Sequence, residues 1–213
     1  MTTLTPGRRE RLHRRVRFIV AFTISYNVLE AIIAITAGVL ASSAALIGFG
    51  LDSVVEVLSA VAIAWQFTRT DPERWEKATV RAIGLAFFAL AAYVSIDAIL
   101  SLVSQEGPEH SPLGIGITAL SLLVMPLLAW YEIRTGRELR SKSVLADARQ
   151  LLLCVYLSGA VFIGLVLNSL FGWWWADSVA ALVVAALAVR EGIEAWTGEV
   201  ESPFEVLSEM KEE

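Results

Sequence analysis

Charged residues are scarce in this chain of 213 residues, at 18% against 56% hydrophobic ones, and the mean hydropathy is +0.62. A soluble domain of this length needs far more polar surface, so the scarcity places the chain in a bilayer. Cysteine is nearly missing too: Cys154 stands alone, which rules out an intrachain disulfide and leaves the redox compartment open. HExxH, P-loop, GxSxG and paired CxxC patterns are lacking, and no nucleophile and base are spaced for catalysis, so the chain does not read as an enzyme. No small-residue cleavage pattern follows the basic N-terminal segment, so the first apolar run is expected to be retained as a span. That segment, residues 1–17, carries Arg8, Arg9, Arg11, Arg14, Arg15 and Arg17 without interleaved aromatics. Beside a membrane span it suits anionic headgroups and does not read as a nucleic-acid patch.

What is there is a series of six long apolar runs, at about residues 18–40, 45–67, 82–104, 113–131, 144–171 and 176–196. The turn after the first run is only a few residues long, which makes the second antiparallel to it. Residues 69–81, RTDPERWEKATVR, read as a polar loop in which Pro72 ends any helix. Residues 132–143, EIRTGRELRSKS, read as a second basic connection. Pro126 within the fourth run either kinks that helix or marks a water-lined face. Trp173, Trp174 and Trp175 form a tight turn at headgroup level. The 17 Lys and Arg residues lie in or next to the N-terminal segment, the 2–3 and 4–5 connections and the C-terminal end, and the three opposite connections have none. That asymmetry predicts an all-α, polytopic membrane protein of six helices with both termini cytoplasmic, in the cell membrane. Its organisation is then a basic segment over 1–17, a six-helix domain over 18–196 and a short acidic tail over 197–213 with no pattern for a second domain.

The chemistry concentrates on the second and fifth runs. Asp52 and Glu56 are four apart, on one helical face, roughly 6 Å along the axis. An ionisable residue at membrane depth costs about 2.5 to 3.5 kcal/mol on insertion scales, so two of them call for a bound cation or proton. The alternative is a hydrogen-bonded pair that only locks helices together. Asp147, Gln150 and Cys154 stand at i, i+3 and i+7 on one face of the fifth run. Facing Asp52 and Glu56, they complete a mixed oxygen and sulfur set of about four ligands, the number Zn²⁺ prefers. The thiolate favours Zn²⁺ or Cd²⁺ over Mg²⁺ or Ca²⁺. Because such ligands bind either protons or metal, the pattern implies proton exchange against the ion.

Each residue also has a plainer reading. Cys154 packs well as a small apolar residue, Gln150 serves as an interhelical hydrogen-bonder, and Asp147 pairs with Arg149 or Arg140 at the cytoplasmic mouth. Asn27 reads as interhelical glue and Glu30 as facing the Asp52 cavity. Asp97 and Asp177 read as interfacial groups, Asp177 also as a favourable helix N-terminal charge.

With these residues in view, the chain resembles the transmembrane domain of the cation diffusion facilitator, or cation efflux, transporters. In that family the second helix carries an acidic or histidine residue followed four later by aspartate, the places of Asp52 and Glu56. An alanine and aspartate pair followed by HxxxD on the fifth helix corresponds to Ala146, Asp147, Gln150 and Cys154, so the His and Asp are replaced here. Asp177 resembles the aspartate opening helix six, and Asn27 the polar residue of helix one. The chain is similar to a subgroup without the cytoplasmic ferredoxin-like domain. The resemblance implies export of a divalent metal ion, Zn²⁺ first, against protons, with no prosthetic group, and a homodimer joined through its membrane helices. A non-transporting scaffold with a degenerate transporter fold is the rival expectation.

Overall fold

The computed structural model describes residues 6–67, 72–105, 107–139 and 142–197. They form six helices: α1 (Pro6–Ala41), α2 (Ala44–Phe67), α3 (Pro72–Ser104), α4 (Pro112–Leu139), α5 (Lys142–Phe171) and α6 (Trp175–Thr197). The principal neighbours close a ring in the order α1, α2, α3, α6, α5, α4, and α2 also touches α5 and α6. This makes α2 the interior helix. Half of its most apolar window is buried, against 28 to 39% for the other apolar spans.

The inside and outside of the bundle follow from a solvent that is itself apolar. Leu29, Ile32, Leu40, Leu100, Val103 and Leu123 are all more than half exposed on the outer faces. Between helices the buried positions are largely alanine, as at Ala34, Ala37, Ala45, Ala91, Ala98, Ala181 and Ala185. Small residues let backbones approach, and van der Waals contact is what drives association where burial from water cannot. The closest approach joins α1 to α2. A Cβ on Gly38 would lie 2.8 Å from the Ile47 nitrogen, and one on Gly50 would lie 2.9 Å from the Ile35 nitrogen. Gly48 and Gly50 each admit a close neighbour, the α1 backbone at Gly50 and the Val94 side chain at Gly48.

The connection between α1 and α2 is as tight as the sequence indicates. Ser42 takes a φ of 54°, and the Ser43 amide donates back to the Gly38 carbonyl at 2.9 Å, closing α1 in the manner of a Schellman cap. Ser43 then begins α2, its hydroxyl accepting from the Leu46 amide at 3.1 Å.

Three expectations change. Pro72 opens α3 instead of ending a helix, because a proline at the first helical position lacks only an amide that had no partner anyway. Residues 72–81 and 132–139 are accordingly helical extensions of α3 and α4 and not loops. The arginines of the N-terminal segment, from Arg8 on, belong to α1 itself, which runs unbroken from Pro6 into the first span. Pro126 lies within α4, which continues through it.

Among the described residues, five helices are by length and composition apolar enough to cross a membrane: Phe18–Ala41, Ala44–Ala62, Arg81–Ser104, Pro112–Glu138 and Gln150–Phe171. Asp177, Arg190, Glu191 and Glu194 interrupt the apolar run of α6, which keeps its place in the ring by packing against α3 and α5. The acidic tail beyond Thr197 lies outside the described residues.

Candidate cation site

Glu56 is the point where three helices meet. Asn27 on α1 donates from Nδ2 to Glu56 Oε2 at 2.6 Å. Gln150 on α5 donates from Nε2 to Oε1 at 3.1 Å, and the Cys154 thiol donates to the same oxygen at 2.7 Å. The fifth-helix residues thus face the second-helix acid as their spacing suggested, and both reach Glu56 rather than Asp52. Asn27 is 4% exposed, and its Oδ1 has no hydrogen-bond partner among the described residues.

Asp52 lies one turn nearer the start of α2 and is 4% exposed. Among the described residues it makes no hydrogen bond, and the charges within its electrostatic reach are those of Glu56, Glu191 and Glu30. A buried carboxylate surrounded only by others of its sign needs a proton or a cation to be tolerable. Asp147 lies on α5, and its side chain falls outside the described residues. Among the described residues no three His, Cys, Asp or Glu side chains gather as metal ligands. The nearest arrangement is the Glu56 and Cys154 pair, walled by the two amides.

A second carboxylate stands behind this one. Glu30 on α1 is 2% exposed; Ser53 on α2 donates to its Oε2 at 2.8 Å, and Ser121 on α4 donates to its Oε1. The Tyr26 hydroxyl shares a 2.7 Å hydrogen bond with Ser121. Glu30 therefore does face the interior beside the Asp52 helix, through a set of hydroxyls that sequence reasoning passed over. Serine carries little hydropathy signal, and Ser121 is 91 positions from Glu30.

Asp177 departs from the interfacial expectation. It is 2% exposed, accepts from the Ser43 hydroxyl at 2.5 Å and from the Ala45 amide at 3.3 Å. An acid at the start of α6 thus caps the start of α2, where first-turn amides lack partners. Glu132, assigned from sequence to a basic loop, is fully buried on α4, and Glu191 on α6 is half-buried with Oε1 lacking a hydrogen bond among the described residues. A polar residue at helical spacing from an apolar face was the signal available for both.

Residues 20–195 match the family model of the cation efflux transmembrane domain. An uncharacterized transporter of Methanocaldococcus jannaschii is 27% identical over 187 residues, 83% of this chain and 66% of its own. The manganese efflux system protein MneP of Bacillus subtilis is 25% identical over 174 residues, 74% of this chain and 58% of its own. The cation-efflux pump FieF of Shewanella oneidensis is 25% identical over 141 residues, 63% of this chain and 47% of its own. The chain spans about half to two thirds of the length of these relatives.

Proposed function

The chain belongs to the cation efflux family, and on that premise we propose that it exports a divalent transition-metal cation, zinc first, from the cytoplasm by proton antiport. The observation that carries this reading is the 2.7 Å approach of the Cys154 sulfur to Glu56 Oε1 across α2 and α5. A thiol hydrogen-bonded to a carboxylate occupies the place of a metal bridge: loss of its proton leaves a soft sulfur and a hard oxygen a bond length or two apart, where one ion can touch both. Asp52, with no hydrogen bond among the described residues, is the second acid for that ion. Gln150 supplies a carbonyl oxygen once its amide is released from Glu56, and Asp147 serves as an auxiliary ligand at the cytoplasmic mouth.

Binding releases protons because the thiol and the acids must give theirs up first. Alternating access then rocks the ring of helices about the site. The transporter acts as a homodimer joined through its membrane helices, with both termini cytoplasmic, and takes no nucleic-acid partner or prosthetic group. Manganese, named in one relative, is the ion against which the sulfur discriminates.

Reconstitution into proteoliposomes tests the proposal. Asp52→Ala should abolish zinc-dependent proton movement while the protein still inserts as a helical bundle, and transport at the wild-type rate in that variant removes this site from the mechanism. The rival is a membrane scaffold with a degenerate site, favoured by the three donors that already satisfy Glu56 and by the lack of three gathered ligands among the described residues. A scaffold shows no stoichiometric Zn²⁺ or Cd²⁺ binding in detergent, whereas the transporter binds one with protons released.

A further inference from the structure

The junction around Glu30 is built differently from the one around Glu56, and the difference lies in what its partners can do. A carboxylate accepts hydrogen bonds at both oxygens, while a carboxylic acid must also donate one. Asn27 and Gln150 meet Glu56 with N–H groups, which can only donate. Of these donors and the Cys154 thiol, only the thiol has another acceptor among the described residues, the Gln150 carbonyl at 3.3 Å. Both protein partners of Glu30 are hydroxyls, and each has a second acceptor within reach. Ser121 Oγ lies 3.0 Å from the Ile117 carbonyl and 2.7 Å from the Tyr26 hydroxyl, and Ser53 Oγ lies 3.3 Å from the Phe49 carbonyl. When Glu30 is ionised both serines donate to it. When it is protonated its O–H donates to Ser121, which turns its own hydrogen to Ile117, and Ser53 turns to Phe49. Either state is satisfied by rotating hydroxyls, without moving a helix.

We infer that Glu30 is a proton-carrying site separate from the metal ligands, joined to them by charge, and that its proton is one of those exchanged for the exported ion. This rests on the proposed metal site at Asp52, Glu56 and Cys154. The step is a plain transfer: the carboxyl O–H bond breaks, the pair of electrons stays on the oxygen, and the proton leaves to water. Titratable groups facing Glu30 are Tyr26 on its own helix, Glu56 and Asp52 from α2, and Cys154 from α5, while α4 presents the hydroxyl of Ser121. No cationic side chain among the described residues reaches it. A dication settling on ionised Asp52 and Glu56 therefore cancels their two negative charges, which removes the field that favoured a proton on Glu30 and lets that proton leave. Reciprocally, a proton on Glu30 weakens the hold on the metal, which gives release on the acidic side.

The test uses the full chain and two readouts. In detergent, zinc binding and the protons released per zinc are measured with a pH indicator; in the infrared, a pH titration follows carboxyl bands. Glu30→Gln, a mimic of the protonated acid, should weaken zinc binding by about tenfold without abolishing it, release about one proton fewer per zinc, and lose one titrating carboxyl band. Proton release equal to wild type overturns the inference. Loss of zinc binding in a folded Glu30→Gln protein also overturns it, by making Glu30 a ligand. If the wild type binds no zinc, the metal reading fails, and the band decides the proton site alone: a titrating carboxyl band that is lost in the variant sustains it, and no such band ends it. Should Glu30→Gln fail to fold, Ser121→Ala keeps the acid and removes its reversible partner. A shift of that band's midpoint by about one pH unit is then expected, with zinc affinity unchanged, and an unmoved midpoint overturns the inference.

Discussion

Two acids sit beside one another in this bundle, Glu30 buried and Glu56 half-buried, and their neighbours make them unlike. Glu56 is approached by two amide N–H groups and a thiol, Glu30 by hydroxyls with alternative acceptors. Amide N–H groups favour the ionised state, and an amide must flip its whole head round to meet the acid once it takes a proton, whereas a hydroxyl follows by turning one hydrogen. In a low-dielectric interior, where an unsatisfied polar group is costly, this choice of partner separates an acid suited to binding metal from one suited to binding protons.

The largest effect that could break this contrast lies at Glu56. Glu56→Gln removes a charged ligand and should weaken zinc binding by at least about 100-fold, with loss of transport in proteoliposomes, while the helical content by circular dichroism stays. Glu30→Gln, the same change of one atom, should weaken zinc binding only by about tenfold, through lost charge and not a lost ligand. If both variants lose zinc to a similar degree, the two acids form a single site and the division by donor type is wrong.

A smaller effect sharpens the metal side. Cys154→Ser exchanges a soft ligand for a hard one of similar size in the buried cluster with Met125, Ala129 and Leu151. Zinc and cadmium affinity should fall about tenfold, or roughly 1.4 kcal/mol, while manganese affinity changes by less. Isothermal titration with the three ions checks it. Equal losses for all three would return Cys154 to a packing role.

The two acids also differ in how far they could be read from the chain. Asp52 and Glu56, like Gln150 and Cys154, are related by spacing along a single helix, and a period of 3.6 residues is visible in sequence. That is why their facing arrangement was legible before any coordinates, and why the spans were, given runs of apolar residues and basic residues on alternate connections. The choice of Glu56 over Asp52 as the point of contact depends on how α2 is rotated against α5, which periodicity leaves open. Ser53 and Ser121 reach Glu30 from helices set side by side by packing, and nothing in their local sequence distinguishes them from other serines of the spans. Asp177 was legible as a helix-opening acid but not as the cap of a different helix, since Ser43 lies 134 positions away. Pro72 was misread because proline carries two meanings, last residue tolerated and first residue preferred, and the helix that follows it decides between them.

The smallest effect tests whether the hydroxyl junction is energetically separate. Tyr26→Phe keeps the ring, which stacks with Phe22 at a centroid distance of 6.3 Å, and deletes only the hydroxyl bonded to Ser121. Ser121 retains both Glu30 and the Ile117 carbonyl, so no buried group is left without a partner and the cost should be one net hydrogen bond, about 1 kcal/mol. A thermal melt in detergent should fall by a few degrees at most. Zinc affinity should be unchanged within about twofold, because the deleted hydroxyl serves Ser121 and Glu30 and is not bonded to Glu56. A tenfold loss of zinc affinity in Tyr26→Phe, as large as the one expected on replacing the sulfur itself, would mean that the two carboxylates are wired through a single hydrogen-bond network, and a proton on one would then be indistinguishable from a proton on the other.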